Sequence, residues 1–342
     1  MPILINAYCT HRSPPEPGFR YELNSRRDLS DPELGQHLEG FMDYVMSRGD
    51  GKMTQSRFHL LQHIQRVRHQ LSMTVEDDQL DAFAAWAWEA NAICFLPDGS
   101  IRNPSGEILI DANGEPEQSD AEMPYPRDAL ERKARSEELL GKKGIPVLAA
   151  LPPVIGEHEV ELRAPGNVAR RALALFVVAL RAESLNSDSQ IAPEELRTRF
   201  PEAFDALSPA EIAFFQNPAP ERQQIVDAGW RYEALLVLQW ALGLAEELAF
   251  PAAICDVPAA AKRMFERQDA AWIRAAQLRP AREILDALDV HFRLHWAVRQ
   301  ARVSNKNAPA GIEPGVVAER HYALNWLVRF GNAHWDDVDT PT

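Results

Sequence analysis

Apolar side chains recur every three to four residues over much of this chain, a spacing that predicts amphipathic helices. Near the N-terminus, Asp31-Pro32 supplies a capping residue and an early proline. The apolar positions that follow are Leu34, Leu38, Phe41 and Val45. A second helix is predicted over residues 78–92.

Other N-terminal segments have the pattern of strands. Residues 2–9 (PILINAYC) form a short apolar run typical of an opening strand, and residues 93–111 predict a hairpin around an Asn-Pro-Ser-Gly turn. Residues 58–75 fit a helix, but from residue 70 they also alternate as a strand does, so both interpretations stay open. This mixture predicts an α+β domain, with a ferredoxin-like arrangement as one form of it, in which helices cover one face of an antiparallel sheet.

The pattern changes near residue 125. Residues 111–126 are acidic and rich in proline, glycine and asparagine, which is typical of a linker, and nearly everything after them has the periodicity of helices. We therefore predict two domains, an α+β domain over residues 1–125 and a mainly α-helical domain over residues 126–342. The helices are predicted over residues 127–140, 168–185, 220–251, 258–277, 280–303 and 314–330, with a capping box at Ser208–Glu211.

Charge restricts the partners that the chain is expected to bind. The formal net charge is −14, and residues 1–125 contain 10 Lys and Arg against 20 Asp and Glu. Such an acidic chain repels phosphate groups, so we expect it to bind neither nucleic acid nor an anionic membrane. A basic protein partner is compatible with the acidic half.

Cysteine spacing and apolar runs restrict the compartment. Cys9, Cys94 and Cys255 are far apart and lack the spacing of a disulfide framework or a zinc site. No apolar stretch is long enough for a membrane span, and the N-terminus lacks the basic region of a signal peptide. We expect a cytoplasmic protein, and no sequence motif indicates a cofactor.

Charged and polar residues inside apolar helices are the main candidates for a functional site. They lie in two segments, LDALDVHFRLHWAVRQAR from residue 285 and ERHYALNWL from residue 319. Buried charges are unfavourable unless they are paired, so these residues predict either a structural network or a binding or catalytic cleft. The candidates are Asp289, Arg293, His295, Arg299, Glu319, Arg320, His321 and Asn325.

Two histidines have the spacing of metal ligands. His291 and His295 stand four residues apart on a predicted helix, but no HExxH glutamate accompanies them. A third ligand would have to come from Glu319 or His321. The structural network is the favoured interpretation of these residues, and a metal site is the weaker alternative.

Several separated segments, in order, resemble the bacterial domain of unknown function 4272 family over about residues 127–342. They include RKARSEELLGKKGIPVLAALPPV, RRALALFVVALRAE, LSPAE, WALG, the two segments above and the tail WDDVDT. Residues 1–125 would then be an N-terminal extension. The resemblance implies a helical fold and no particular reaction. It directs attention to the eight candidates above together with Trp296, Asp336 and Asp337.

Two hypotheses about function remain. The first is a non-enzymatic bacterial binding protein, such as an immunity or accessory factor in a toxin or secretion setting. Its contact surface would combine the acidic N-terminal half with whichever of Trp86 and Trp88 is exposed. The alternative is a hydrolase-like enzyme, in one version metal-dependent, with its site among the His, Glu, Arg and Asp candidates of the helical domain.

Overall fold

The computed structural model shows two compact units. The N-terminal unit consists of Met1–Leu130 with Ile155–Glu159, and the helical unit of Glu131–Val154 with Val160–Thr342. That these units fold independently as domains stays a prediction. The structure describes residues 2–114, 116, 121–187, 190–267 and 269–342. Part of the predicted acidic linker, residues 115 and 117–120, lies outside the described residues.

The N-terminal unit is built on a six-stranded antiparallel sheet with the order β2-β3-β1-β4-β5-β6. The predicted opening strand and the turn of the predicted hairpin are present, but the first arm of that hairpin, residues 93–101, contains two strands instead of one. The strands are β1 (Ile3–Cys9), β2 (Tyr21–Asp28), β3 (His69–Val75), β4 (Ala92–Phe95), β5 (Ile101–Arg102) and β6 (Ile108–Ile110). The helices are α1 (Pro32–Met46), α2 (Gln55–Gln65) and α3 (Leu80–Glu89).

Helices cover both faces of this sheet, so the prediction of helices on one face is wrong. Ile5 and Ala7 of β1 pack with Phe83 and Trp86 of α3 in one apolar cluster. Tyr8, one residue further on, belongs to a second cluster that contains the apolar faces of α1 and α2. Successive residues of a strand point to opposite faces of the sheet. A strand whose apolar residues point to both faces therefore needs other elements packed on each side. The ferredoxin-like form of the prediction is not confirmed.

The ambiguous stretch over residues 58–75 contains both of the elements that its pattern allowed. Thr54 caps α2 by accepting a hydrogen bond from the backbone N–H of Arg57, and the helix ends at Gln65. Strand β3 then begins at His69 and pairs with β1 on one side and β2 on the other. The alternation from residue 70 was therefore the signal of a central strand.

A short segment from the middle of the sequence completes the N-terminal unit. Glu159 is buried, and its carboxylate accepts hydrogen bonds from the backbone N–H of Gly156 (2.6 Å) and from Asn91 Nδ2 (3.4 Å). Arg66 lies 3.5 Å from the same carboxylate. These contacts hold Ile155–Glu159 within the unit, although the flanking residues belong to the helical unit.

In the helical unit, α5 and α9 pack along each other, and α13 packs against both α9 and α12. Helix α5 carries the apolar run that predicted a central helix, and fourteen of its residues are buried. The helices after residue 126 are α4 (Arg127–Lys142), whose residues up to Leu130 belong to the N-terminal unit, α5 (Pro165–Leu185), α6 (Pro193–Arg199), α7 (Pro201–Phe204), α8 (Pro209–Gln216), α9 (Arg222–Ala241), α10 (Val257–Phe265), α11 (Ala270–Ala275), α12 (Ala281–Val303) and α13 (Pro314–Leu327). A mainly helical second half is confirmed.

Local signals explain where the helices begin and end. The predicted capping box is present at the start of α8, where Ser208 and Glu211 exchange side-chain and backbone hydrogen bonds. Helix α9 ends at Ala241, ten residues before the predicted end, because Gly243 takes a positive φ of 73°. The single helix predicted over residues 258–277 is two helices, and Asp269 caps the second of them. None of the described helices is long and apolar enough to cross a membrane.

Candidate functional site

Asp289 and Arg293 form a buried ion pair on α12, and an η nitrogen of Arg293 also donates to Glu137 (3.4 Å). Both side chains are fully buried, and Arg293 donates to the two carboxylate oxygens of Asp289 from Nε (2.8 Å) and from an η nitrogen (3.0 Å). The spacing of four residues with the acid first places them on one helix face, as the sequence predicted. Arg293 also donates to the carbonyl of Pro152 (3.3 Å), and the N–H of Val154 donates to Asp289 (3.4 Å). The pair therefore fixes the extended segment before residue 155 against α12.

Three histidines lie close together where α12 meets α13. The Nδ1 atoms of His295 and His321 are 2.9 Å apart, and the two rings are perpendicular. His291 directs Nδ1 to the carbonyl of Ala287 (2.7 Å), and its Nε2 is buried without a hydrogen-bond partner. Burial lowers the pKa of His291 and of His295 to about 4 and lowers that of His321 well below its ordinary value. All three are therefore neutral near pH 7.

This histidine group does not form a metal site in the structure. Among the described residues, no three His, Cys, Asp or Glu side chains have positions that could hold a metal ion. His291 bonds within its own helix, and His295 bonds to His321. Glu319, considered as a third ligand, accepts two hydrogen bonds of 3.0 Å from Arg231.

Helix α13 is joined to α9 by two ion pairs. Arg320 is 2% exposed and donates from Nε to Glu233 (3.0 Å), which is also 2% exposed, while an η nitrogen of Arg320 donates to the carbonyl of Ala249 (2.6 Å). The other oxygen of Glu233 accepts a short hydrogen bond from the N–H of Cys255. The second pair is Arg231 with Glu319. Burial raises the pKa of Glu319, and the nearby Arg231 opposes that shift.

The remaining candidates lie apart from these pairs. Asn325 is buried, and its Nδ2 donates to the carbonyl of Asp339 (2.8 Å), which ties the C-terminal tail to α13. Asp336 accepts from the N–H of Ala210 at the start of α8 (2.9 Å). Arg299 is exposed and donates to the hydroxyl of Thr342 (2.9 Å). Its expected burial in the network is wrong, because it lies on the solvent side of α12.

The candidate side chains thus divide into separate groups. The Asp289–Arg293 pair, the histidine group and the pairs with α9 each close on their own partners. Within the part of the chain that the structure describes, no hydrogen bond or ion pair links one group to another. In that part, Asp289, Arg293 and Arg299 make no hydrogen bond to residues 319–325, whereas His295 bonds to His321.

The structure contains a pocket of about 210 Å³ that none of these candidates lines. We call it the α9 pocket. One wall comes from the helix itself, through Val226, Gly229, Trp230, Tyr232 and Glu233. The other wall comes from Ile254, Cys255 and Val257, which precede and begin α10.

Two aromatic side chains of the α9 pocket are held in place by residues outside the pocket. The ring of Trp230 packs so closely on Gly315 that a Cβ added there would lie 2.6 Å from the indole. The hydroxyl of Tyr232 donates to Glu183 (3.0 Å), and burial raises the pKa of that hydroxyl. The Cys255 thiol lies beside Glu233, and burial together with that carboxylate raises its pKa to about 12. The thiol is therefore protonated at neutral pH and is a poor nucleophile.

Sequence reasoning missed the α9 side of this arrangement. Glu233 stands in the apolar run YEALLVLQW, where a buried acid predicts a buried cation. That signal was available, but its partner Arg320 is 87 positions away in the sequence, and the fold alone identifies the pair. Arg231 was missed because its partner Glu319 is 88 positions away in the sequence.

Comparison with known proteins identifies the family and leaves the activity open. No curated protein and no solved structure matches the chain significantly. Residues 132–338 match the family model described as a domain of unknown function (DUF4272). The match covers more than half of the chain, and it spans the helical unit in which the ion pairs, the histidine group and the α9 pocket lie. This protein therefore belongs to the DUF4272 family.

Proposed function

We propose that this protein is a non-enzymatic binding protein whose partner is a basic protein. The observation that carries the proposal is the closure of the candidate chemical groups. Arg293, Arg320 and His321 are each at most 2% exposed, and their partners are Asp289, Glu233 and His295. A substrate would have to break a buried ion pair to reach Arg293 or Arg320, at a cost of several kcal/mol.

Helix α3 supplies the contact surface of this proposal. Trp86 is buried and its Nε1 donates to the carbonyl of Pro15, whereas Trp88 is half-exposed and donates to the hydroxyl of Ser105 (3.1 Å). Of the two tryptophans, Trp88 is therefore the one that can contact a partner. Asp81 lies two turns before Trp88 on the same helix face, and the adjacent Glu89 is exposed.

The acidic composition of this unit extends to the surface around α3. Glu76, Asp77 and Asp78 are exposed just before the helix, and Asp78 pairs with Arg20 (2.9 Å). Acidic groups around a half-exposed tryptophan combine two contributions to binding. The charges accelerate encounter with a basic partner, and the buried ring contributes holding energy.

The finer form of the proposal specifies the setting. The partner is a toxin or a secretion component of the same bacterium, and this chain is its immunity or accessory factor in the cytoplasm. The three cysteines are free thiols, which is consistent with a reducing compartment. The identity of a stoichiometric partner captured by the full chain tests this form directly.

We expect Trp88→Ala to weaken the complex with that partner about tenfold or more, because it removes the aromatic anchor. The complex should also form more slowly as salt is raised. Surface plasmon resonance with the purified partner, at two or more salt concentrations, measures both effects. Trp272→Ala is the matched control, since Trp272 is also partly exposed but lies on α11 in the helical unit.

Two outcomes would contradict the proposal. Equal binding by the parent and Trp88→Ala, with no dependence on salt, would remove α3 from the interface. Turnover of a small molecule that disappears in a correctly folded His321→Ala variant would show that the protein is an enzyme.

A further inference from the structure

Gly229 occupies a position of α9 at which the protein itself does not require glycine. Its φ is not positive, and a Cβ added there would meet no heavy atom within 4 Å. Glycine inside a helix is less favourable than alanine, because it loses more backbone freedom on folding. Gly229 lines the α9 pocket, so a larger side chain at this position would extend into that space.

The size and the walls of the α9 pocket fit an aromatic ring. A cavity of about 150 Å³ with apolar walls is enough for benzene, and the α9 pocket measures about 210 Å³. Trp230 and Tyr232 offer aromatic surfaces, and Val226 and Val257 add aliphatic ones. Ile254, at 62% exposure, stands where a ligand could cover it.

The polar group of the α9 pocket selects the charge of the ligand. Glu233 lines the pocket, whereas its cationic partner Arg320 does not. An anionic ligand would lose its hydration in the pocket without gaining a cation there. The carboxylate of Glu233 accepts hydrogen bonds from the N–H of Cys255 and from Arg320, and the Cys255 thiol bonds to it as well, whereas a carboxylate can accept about four in total. A ligand with an N–H or O–H group therefore has an acceptor available.

We propose that the α9 pocket binds an uncharged aromatic molecule of one or two rings that carries a hydrogen-bond donor. The ring lies between α9 and the segment before α10, and its donor faces Glu233. Gly229 leaves open the space that the ring occupies. This site is in the helical unit and is independent of the proposed protein contact at Trp88.

Indole is a suitable probe, because it combines a two-ring shape with one N–H donor. Isothermal titration calorimetry of the full chain should show saturable binding of one indole, with a Kd on the order of a millimolar or tighter for a ligand of this size. Indene has the same shape without the N–H and should bind more weakly. Indole-3-acetate, which adds a negative charge, should bind more weakly still.

Gly229→Leu should weaken indole binding at least tenfold, because the leucine side chain extends into the pocket. The variant should unfold at a temperature no lower than the parent, since leucine is a better helix former than glycine. Loss of binding would then not reflect loss of folding. Gly40→Leu is the matched control, because Gly40 also lies inside a helix with open space around it, but on the exposed side of α1.

Alkylation of Cys255 by iodoacetamide at alkaline pH, where a small fraction of this thiol ionises despite its raised pKa, followed by mass spectrometry, locates the bound probe. Cys9 and Cys94 are buried, whereas Cys255 is partly exposed and lines the pocket. Indole should slow labelling at Cys255 in the parent and not in Gly229→Leu. Absence of saturable binding, equal binding to Gly229→Leu, or labelling that indole does not change would each overturn the proposal.

Discussion

Arg293→Met is expected to destabilise the protein by about 3–5 kcal/mol. Asp289 is fully buried, and Arg293 neutralises it through two hydrogen bonds. Methionine fills a similar volume but leaves the carboxylate charged and without its cation. The carbonyl of Pro152 also loses a donor. Urea denaturation at pH 7 measures the change in the free energy of unfolding.

Two further variants distinguish loss of the pair from loss of an arginine. Arg299→Met makes the same change six residues later on α12, where the side chain is exposed, so its cost should stay within about 0.5 kcal/mol. Asp289→Leu combined with Arg293→Met replaces both charges with apolar groups and should recover much of the stability. A cost below about 1 kcal/mol for Arg293→Met alone would show that Asp289 is hydrated.

The sequence predicted the Asp289–Arg293 pair well, because everything needed lies within one turn of one helix. Spacing placed the two side chains on the same face, and the apolar neighbours Leu285 and Leu288 placed that face in the core. Burial then required the charges to pair. The same reasoning misplaced Arg299, which shares the apolar periodicity of α12 but lies near its C-terminal end, where the helix surface is exposed.

Contacts between distant segments could not be predicted in the same way. Arg320 was a candidate, but nothing near it in the sequence indicates Glu233 as its partner. The α9 pocket depends on where Gly315 places Trp230 and on where the chain returns after α9. Such features follow from tertiary packing, and local spacing carries no information about them.

The sheet illustrates a different limit. Helices on both faces could have been inferred from β1, because its apolar residues point to both faces of the sheet. The buried ones are Ile5, Ala7, Tyr8 and Cys9. Strand β2 was missed, since most of its eight residues are polar and exposed. An edge strand pairs on one side only, and polar residues there protect the open edge, so its apolar signal is weak.

The stability of the helical unit is expected to fall as the pH decreases from about 7 to 4. Burial lowers the pKa of His291 in the folded protein to about 4, against about 6.5 in the unfolded chain. Below pH 6.5 the unfolded chain therefore binds a proton that the folded chain does not, and unfolding becomes more favourable. The full contribution of His291 is present above pH 6.5 and is lost as the pH approaches 4. The difference of about 2.5 between these two pKa values corresponds to roughly 3 kcal/mol in the free energy of unfolding.

The neighbouring groups act in the same direction. Arg320 also lowers the pKa of His291, Arg299 lowers that of His295, and His321 is lowered further by His295 and His291. Because His295 and His321 are in contact, their protonation steps are coupled, and their contributions do not simply add to that of His291.

His291→Leu isolates one histidine from this acid response. At pH 7 its cost should be about 1 kcal/mol, because leucine removes the hydrogen bond from Nδ1 of His291 to the carbonyl of Ala287, whereas Nε2 has no partner to lose. As the pH falls, the folded parent keeps the His291 imidazole neutral while its unfolded chain gains a proton there, so the parent loses stability. The variant has no imidazole at this position and does not lose stability in this way. The stability difference should therefore shrink and then favour the variant by roughly 2–3 kcal/mol near pH 4. Urea denaturation from pH 7 to 4 follows this difference, and His334→Leu is the control, because His334 is exposed. Parallel pH profiles for the parent and His291→Leu would mean that the folded protein accepts a proton at His291 as readily as the unfolded chain does.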